Sequence, residues 1–121
     1  MEKIKKTIMI VDDEPDIRDT VKSVLEKNGY NVITAINGDD CLSKLKGGKK
    51  PNLILMDIMM PGTPVIKVIP KIKDIKIIYL SVVKASEAEK EDLMKLSNII
   101  GFIQKPFDIN ELVSRIKKAV G

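Results

Sequence analysis

An alternation running almost from end to end constrains this chain most: short apolar runs, each followed by a segment with helical spacing of its apolar side chains. Runs of that length without polar alternation read as strands buried on both faces. Strands that alternate with amphipathic helices read as repeated βα units around a parallel sheet. Thr7 to Val11 is the first such run. Residues 16–28 then place Ile17, Val21, Val24 and Leu25 on one helix face, with Pro15 near the start and Gly29 just past the end. A strand from Asn31 to Ala35 follows, then a helix from about Asp39 whose apolar face is Cys41, Leu42 and Leu45 and which stops at Gly47-Gly48. Leu53 to Met56 is the next buried strand.

Beyond it the pattern weakens. Pro64 precedes the span from Val65 to Ile72 and Pro70 interrupts it, so a short or distorted third helix is predicted there. Regularity returns with a strand from Lys76 to Leu80 and a helix over 86–96 opened by the capping box Ser86-x-x-Glu89. A strand from Ile99 to Gln104 comes next. The last helix, over 108–120, opens with Asp108-x-x-Glu111 and lines up Ile109, Leu112, Val113, Ile116 and Val120. Five strands and five helices without a linker or repeat are the content of one α/β domain spanning residues 1–121. With right-handed crossovers this is a doubly wound sandwich with helices on both faces.

Composition removes several kinds of chemistry. The only cysteine is Cys41, so no disulfide can form within the chain, and there is no histidine to serve a Ser-His-Asp triad or to ligate zinc. No apolar run approaches the length of a membrane span, and the N-terminus has no signal-peptide pattern, which predicts a cytoplasmic protein without membrane contact. The net charge is +4, but the lysines are scattered and only two arginines, Arg18 and Arg115, are present. A dedicated nucleic-acid reader would show a basic stripe with arginine forks or stacking aromatics, so no direct nucleic-acid contact is expected.

Ligands of a doubly wound sheet bind outside the carboxyl ends of its strands. At those ends stand Asp12-Asp13 after strand one, Asp57 at strand three, Ser81 at strand four and Lys105-Pro106 after strand five. Taken singly, most have a plainer role. Asp12-Asp13 could cap the first helix, Ser81 could be a turn residue and Lys105 could be solvated. Asp57 is harder to dismiss, because a carboxylate between Leu53-Ile54-Leu55-Met56 and Ile58-Met59-Met60 is costly unless paired or at a strand end. Three carboxylates that meet repel one another, so a cation or the lysine must compensate. An all-oxygen set suits Mg²⁺, which binds through few carboxylates and keeps positions open for phosphate oxygens.

These residues resemble the receiver domains of two-component response regulators. The resemblance runs through VDDEPDIRDTVKSVLEKNGY, LILMDIMMPG, YLS and IQKPFDINELVSRI, in order and over essentially the whole chain. It implies a flavodoxin-like sheet of order 2-1-3-4-5 and a phosphorelay function in which Asp57 accepts a phosphoryl group from a histidine kinase, a phosphotransfer protein or a small phosphodonor. It further implies Mg²⁺ held by Asp13, by Asp12 mostly through water, by Asp57 and by the backbone carbonyl of Met59. Lys105 would pair with a phosphoryl oxygen, with Lys105-Pro106 cis, and Ser81 would bond another. Phe102 would act with Ser81 as the switch, although a phenylalanine there could also be plain core. Output would pass to a downstream protein or a second copy through the face over 86–120. Relatives with fast turnover often carry an amide or acid two residues after the phosphoacceptor or the hydroxyl; Met59 and Val83 stand there, which implies slow loss of the phosphoryl group.

After Met60-Pro61-Gly62 the sequence departs from the family, with Thr63-Pro64-Val65 and a shorter path to Ser81. Other readings compete. An aspartyl-phosphate phosphatase usually has a second acid two residues after the nucleophile, where Met59 stands. Gly48-Lys49 lacks the earlier glycine of a phosphate-binding loop and follows a helix instead of a strand. A receiver-like interaction module that is never phosphorylated would have little need of the intact acidic site. The domain is thus expected to be a signalling phosphoacceptor, not an enzyme with turnover, and no output domain is expected in these 121 residues.

Overall fold

A computed structural model describes residues 5–81 and 98–121. Its strands are β1 (Thr7–Val11), β2 (Asn31–Ala35), β3 (Leu53–Asp57), β4 (Lys76–Ser81) and β5 (Ile99–Gln104), all parallel and ordered β2-β1-β3-β4-β5. The helices are α1 (Pro15–Lys27), α2 (Gly38–Lys46), α3 (Val65–Val68), which runs into a 3₁₀ turn over Ile69–Lys71, and α4 (Ile109–Val120). The helix expected over 86–96, its Ser86 cap and Val83 fall outside the described residues. Among those that are described, no helix is long and apolar enough to cross a membrane.

Strand alternation divides the core in two. Ile8, Ile10, Leu53, Leu55, Ile78 and Leu80 face one side, where α1 supplies Val21 and Leu25 and α4 supplies Leu112, Val113 and Ile116. Met9, Val11, Ile54, Met56, Ile77 and Tyr79 face the other, against Cys41 of α2 and Val65 and Val68 of α3. The middle of each central strand (Ile8–Val11, Leu53–Met56, Ile77–Leu80) is therefore apolar throughout, as a parallel sheet covered on both faces requires. Ladder hydrogen bonds satisfy its backbone, and the helices take the apolar side chains of β1, β3 and β4 out of water.

The helix ends follow local chemistry. Asn37 caps α2 by accepting from the Asp40 amide at 2.8 Å, and Asp108 caps α4 by accepting from the amides of Asn110 and Glu111 at 2.7 and 3.3 Å. Glu14 precedes α1 without a side-chain cap bond, and Pro15 fills the first turn, where its missing N–H is not needed. The third helix is one turn, as the prolines predict: Pro64 sits before it, and Pro70 lies in the 3₁₀ turn that ends it.

One feature of β5 is absent from the sequence pattern. Between Ile77 and Ile78 the β4–β5 register slips by one, so Ile78 pairs with Gly101 and Ile100 is left over, 41% exposed. The extra residue reverses the alternation that follows it. As a result Phe102 lies opposite Tyr79 on the same side of the sheet as Ile99, with ring centroids 5.1 Å apart.

Candidate functional site

Because every strand is parallel, residues that end or follow them gather along one edge of the sheet. Asp12 and Asp13 follow β1, Asp57 ends β3, Ser81 ends β4 in register with Gln104, and Lys105 follows β5. Carboxylate oxygens of Asp12, Asp13 and Asp57 all lie within 4.8 Å of one another. Asp12 is fully buried and Asp57 nearly so, at 3% exposure, whereas Asp13 faces solvent.

Lys105 compensates this charge from within. Its Nζ donates to Asp12 Oδ2 at 2.5 Å and to Asp57 Oδ2 at 3.3 Å, and it is itself buried. The other oxygens of the buried pair accept backbone N–H groups: Asp12 Oδ1 from Glu14 at 2.9 Å, Asp57 Oδ1 from Met59 at 2.9 Å. Burial pushes the Asp57 carboxyl upward and Asp12's charge adds to this, while the Met59 amide and Lys105 act the other way. For Lys105, burial works to lower its affinity for the proton. The hydrogen bond to Asp12 and the two carboxylate charges outweigh it, so the ammonium is held above its ordinary range.

The remaining expected residues have defined places. Lys105-Pro106 is cis. Met59 is 57% exposed at the rim, two residues past the buried strand end at Asp57. Phe102 is partly buried on Tyr79. Ser81 brings its backbone to the same edge. Asp12 accepts the Glu14 amide in the turn before α1 and makes no side-chain cap bond to the helix itself. The altered stretch after Gly62 is tied to α2, since Thr63 Oγ1 donates to Asp39 Oδ2 at 3.0 Å and Gly38 packs under Val68.

Arg18 is a contributor that the strand-end pattern did not single out. From the first turn of α1 its Nη1 donates to the Asp12 backbone carbonyl at 2.7 Å. Its spacing of six residues from Asp12, across the turn into the helix, was the available signal.

Three carboxylates, two of them buried, offer hard oxygen ligands in a set that fits a small divalent cation. Asp13 is the one that makes no hydrogen bond among the described residues.

Fold and site together define a doubly wound α/β domain with a lysine-bridged acidic pocket at the carboxyl edge of its sheet. The chain belongs to the response regulator receiver domain family, which matches residues 8–117. Such domains receive signals in two-component systems, where they bind Mg²⁺ at an acidic pocket and interact with histidine kinases and downstream effectors.

Among the curated relatives, the alkaline phosphatase synthesis transcriptional regulatory protein PhoP of Bacillus subtilis (strain 168) is 32% identical over 116 residues, covering 94% of this chain and 48% of that protein. The phosphate regulon transcriptional regulatory protein PhoB of Pseudomonas aeruginosa is 38% identical over 120 residues, covering 94% of this chain and 51% of that protein. The chain thus spans about half the length of the curated relatives it matches. Among solved structures, a CheY-like response regulator receiver domain protein from Methanospirillum hungatei JF-1 superposes with a TM-score of 0.88 at 28% identity, covering 97% of this chain and 94% of that one. The chemotaxis response regulator CheY4 of Vibrio cholerae shares the fold, with a TM-score of 0.85 at 24% identity over 96% of this chain and 99% of that one.

Proposed function

We propose that residues 1–121 form a receiver that accepts a phosphoryl group on Asp57 from a sensor histidine kinase or phosphotransfer protein, in a Mg²⁺-dependent reaction, and thereby changes its binding partners. The observation that carries this reading is the buried Asp12–Lys105–Asp57 bridge beside Asp13 at one sheet edge.

A carboxylate oxygen of Asp57 attacks phosphorus. The bond from phosphorus to the donor nitrogen breaks, and the departing nitrogen keeps the electron pair and takes a proton. Lys105 and the Met59 amide favour the ionised form of Asp57 that this attack needs. Phosphoryl transfer asks mainly for positioning and for neutralisation of the equatorial oxygens. Asp13, Asp57, the Met59 carbonyl and, mostly through water, Asp12 would hold Mg²⁺, and the bound ion would supply part of that neutralisation. Lys105 supplies a further share by moving from Asp57 Oδ2 to a phosphoryl oxygen, and the domain assists both gain and loss of the group without turning over a separate substrate.

The signal then leaves through Ser81 and Phe102. Drawing Ser81 toward the phosphoryl group frees space beside β5 for the Phe102 ring, which already packs on Tyr79 and has no phenolic hydroxyl to desolvate. The face over 86–120 then engages a downstream protein or a second copy. Incubation with phosphoramidate and Mg²⁺ tests the transfer: the intact protein should gain one phosphoryl group, and EDTA should prevent it. Amide shifts confined to the neighbours of Asp57, with β5 and α4 silent, would mean that the output face is misplaced.

A further inference from the structure

Arg18 reaches the backbone at the acidic corner and pairs with no carboxylate among the described residues. Among the described residues it makes no ion pair, and its one side-chain hydrogen bond goes to the Asp12 backbone carbonyl at 2.7 Å. An arginine next to an acidic cluster would ordinarily fork onto a carboxylate, since charge-assisted bidentate pairs are the stronger contact. This one is directed at the main chain instead.

The consequence is clearest at Asp12, which is held on four sides. Its amide donates to the Ala35 carbonyl at 3.1 Å, its carbonyl accepts from Arg18, Oδ1 accepts from Glu14 and Oδ2 from Lys105. Three of these restraints are built from β2, the β1–α1 turn and β5. Arg18 alone links the corner to the body of α1, whose Val21 and Leu25 are anchored in the core. Asp13, the exposed carboxylate, makes no hydrogen bond among the described residues, so its direction is inherited from the backbone of Asp12.

We infer that Arg18 is a positioning residue for cation binding: by clamping the Asp12 carbonyl to α1 it fixes the corner from which Asp13 projects, without occupying a carboxylate oxygen. This rests on the receiver reading above, in which Asp13 is a Mg²⁺ ligand. It predicts an effect opposite in sign to plain electrostatics. Removing a positive charge beside an acidic cluster should by itself tighten binding of a divalent cation. Removing the clamp should loosen it.

The experiment compares wild type with Arg18→Met, which keeps most of the apolar stem and loses the donors. Mg²⁺ is titrated into each and followed by calorimetry and by the amide shifts of Asp57 and Met59, and thermal midpoints are recorded alongside. The expected result is a dissociation constant for Mg²⁺ raised three- to tenfold, with the midpoint little changed. An unchanged constant would make Arg18 a plain packing residue. A lowered constant would show that its charge, not its clamp, is what the site feels. Either result overturns the inference. Failure of the wild type itself to bind Mg²⁺ would instead overturn the receiver reading, so the two failures are distinguishable.

Discussion

Lys105 Nζ bridges Asp12 Oδ2 and Asp57 Oδ2, at 2.5 and 3.3 Å, so a single buried ammonium balances two carboxylates that no sequence segment brings together. Removing it should leave that pair uncompensated in a buried place. Lys105→Met is expected to cost about 3 kcal/mol of stability in the absence of divalent ions, the scale for breaking a buried pair from one side. Mg²⁺ should restore more stability to the variant than it adds to wild type. Urea midpoints measured with and without Mg²⁺ check both halves, and an equal response to Mg²⁺ in the two proteins would contradict the bridge's role.

Gly38 begins α2 directly beneath α3. A Cβ there would stand 2.7 Å from Val68 Cγ2, and valine has little rotamer freedom with which to yield. Gly38→Ala, although favourable for helix propensity, is therefore expected to destabilise by about 1–2 kcal/mol through overpacking. A urea midpoint equal to or above that of wild type would show that the single turn of α3 moves freely aside.

Cys41 lies in the core, and its thiol is pushed up to about 12, chiefly by burial and then by the nearby charge of Asp40. The thiolate, the nucleophilic form, is then scarce at pH 8. Iodoacetamide should leave Cys41 unmodified in the native protein at that pH and label it fully in urea. Rapid labelling without denaturant would mean that α2 opens readily.

Met59 offers no group that can orient an attacking water, and it occupies the rim beside Asp57. The phosphoryl group is accordingly expected to be long-lived, and Met59→Asn, which adds an amide, should shorten its lifetime several-fold. Decay of the labelled protein followed by mass spectrometry gives both values. Fast loss in wild type, unchanged by the substitution, would contradict the expectation.

Three strands, β1, β3 and β4, were legible because their middles are buried on both faces and run apolar, and the single-turn third helix was legible from Pro64 and Pro70. Asp12, Asp13, Asp57 and Lys105 were legible for a topological reason: parallel strands put their carboxyl ends on one edge, whatever lies between them. The register slip at Ile100 was not, since a slip is set by how two strands pair and leaves no mark in either alone. Without it the alternation would not place Phe102 opposite Tyr79. The Arg18 clamp and the Thr63–Asp39 tie were hidden for a related reason: each depends on how a helix leans against a turn, which apolar periodicity does not encode.

The central claim is that Asp57, and not its acidic neighbours, carries the phosphoryl group. An acyl phosphate is reduced by borohydride, and a carboxylate is not, so reduction marks the modified side chain permanently as homoserine. Protein phosphorylated with phosphoramidate and Mg²⁺, then reduced and digested, should show homoserine at position 57, and Asp57→Asn should show none. Homoserine at Asp12 or Asp13, or label surviving in Asp57→Asn, would contradict the account.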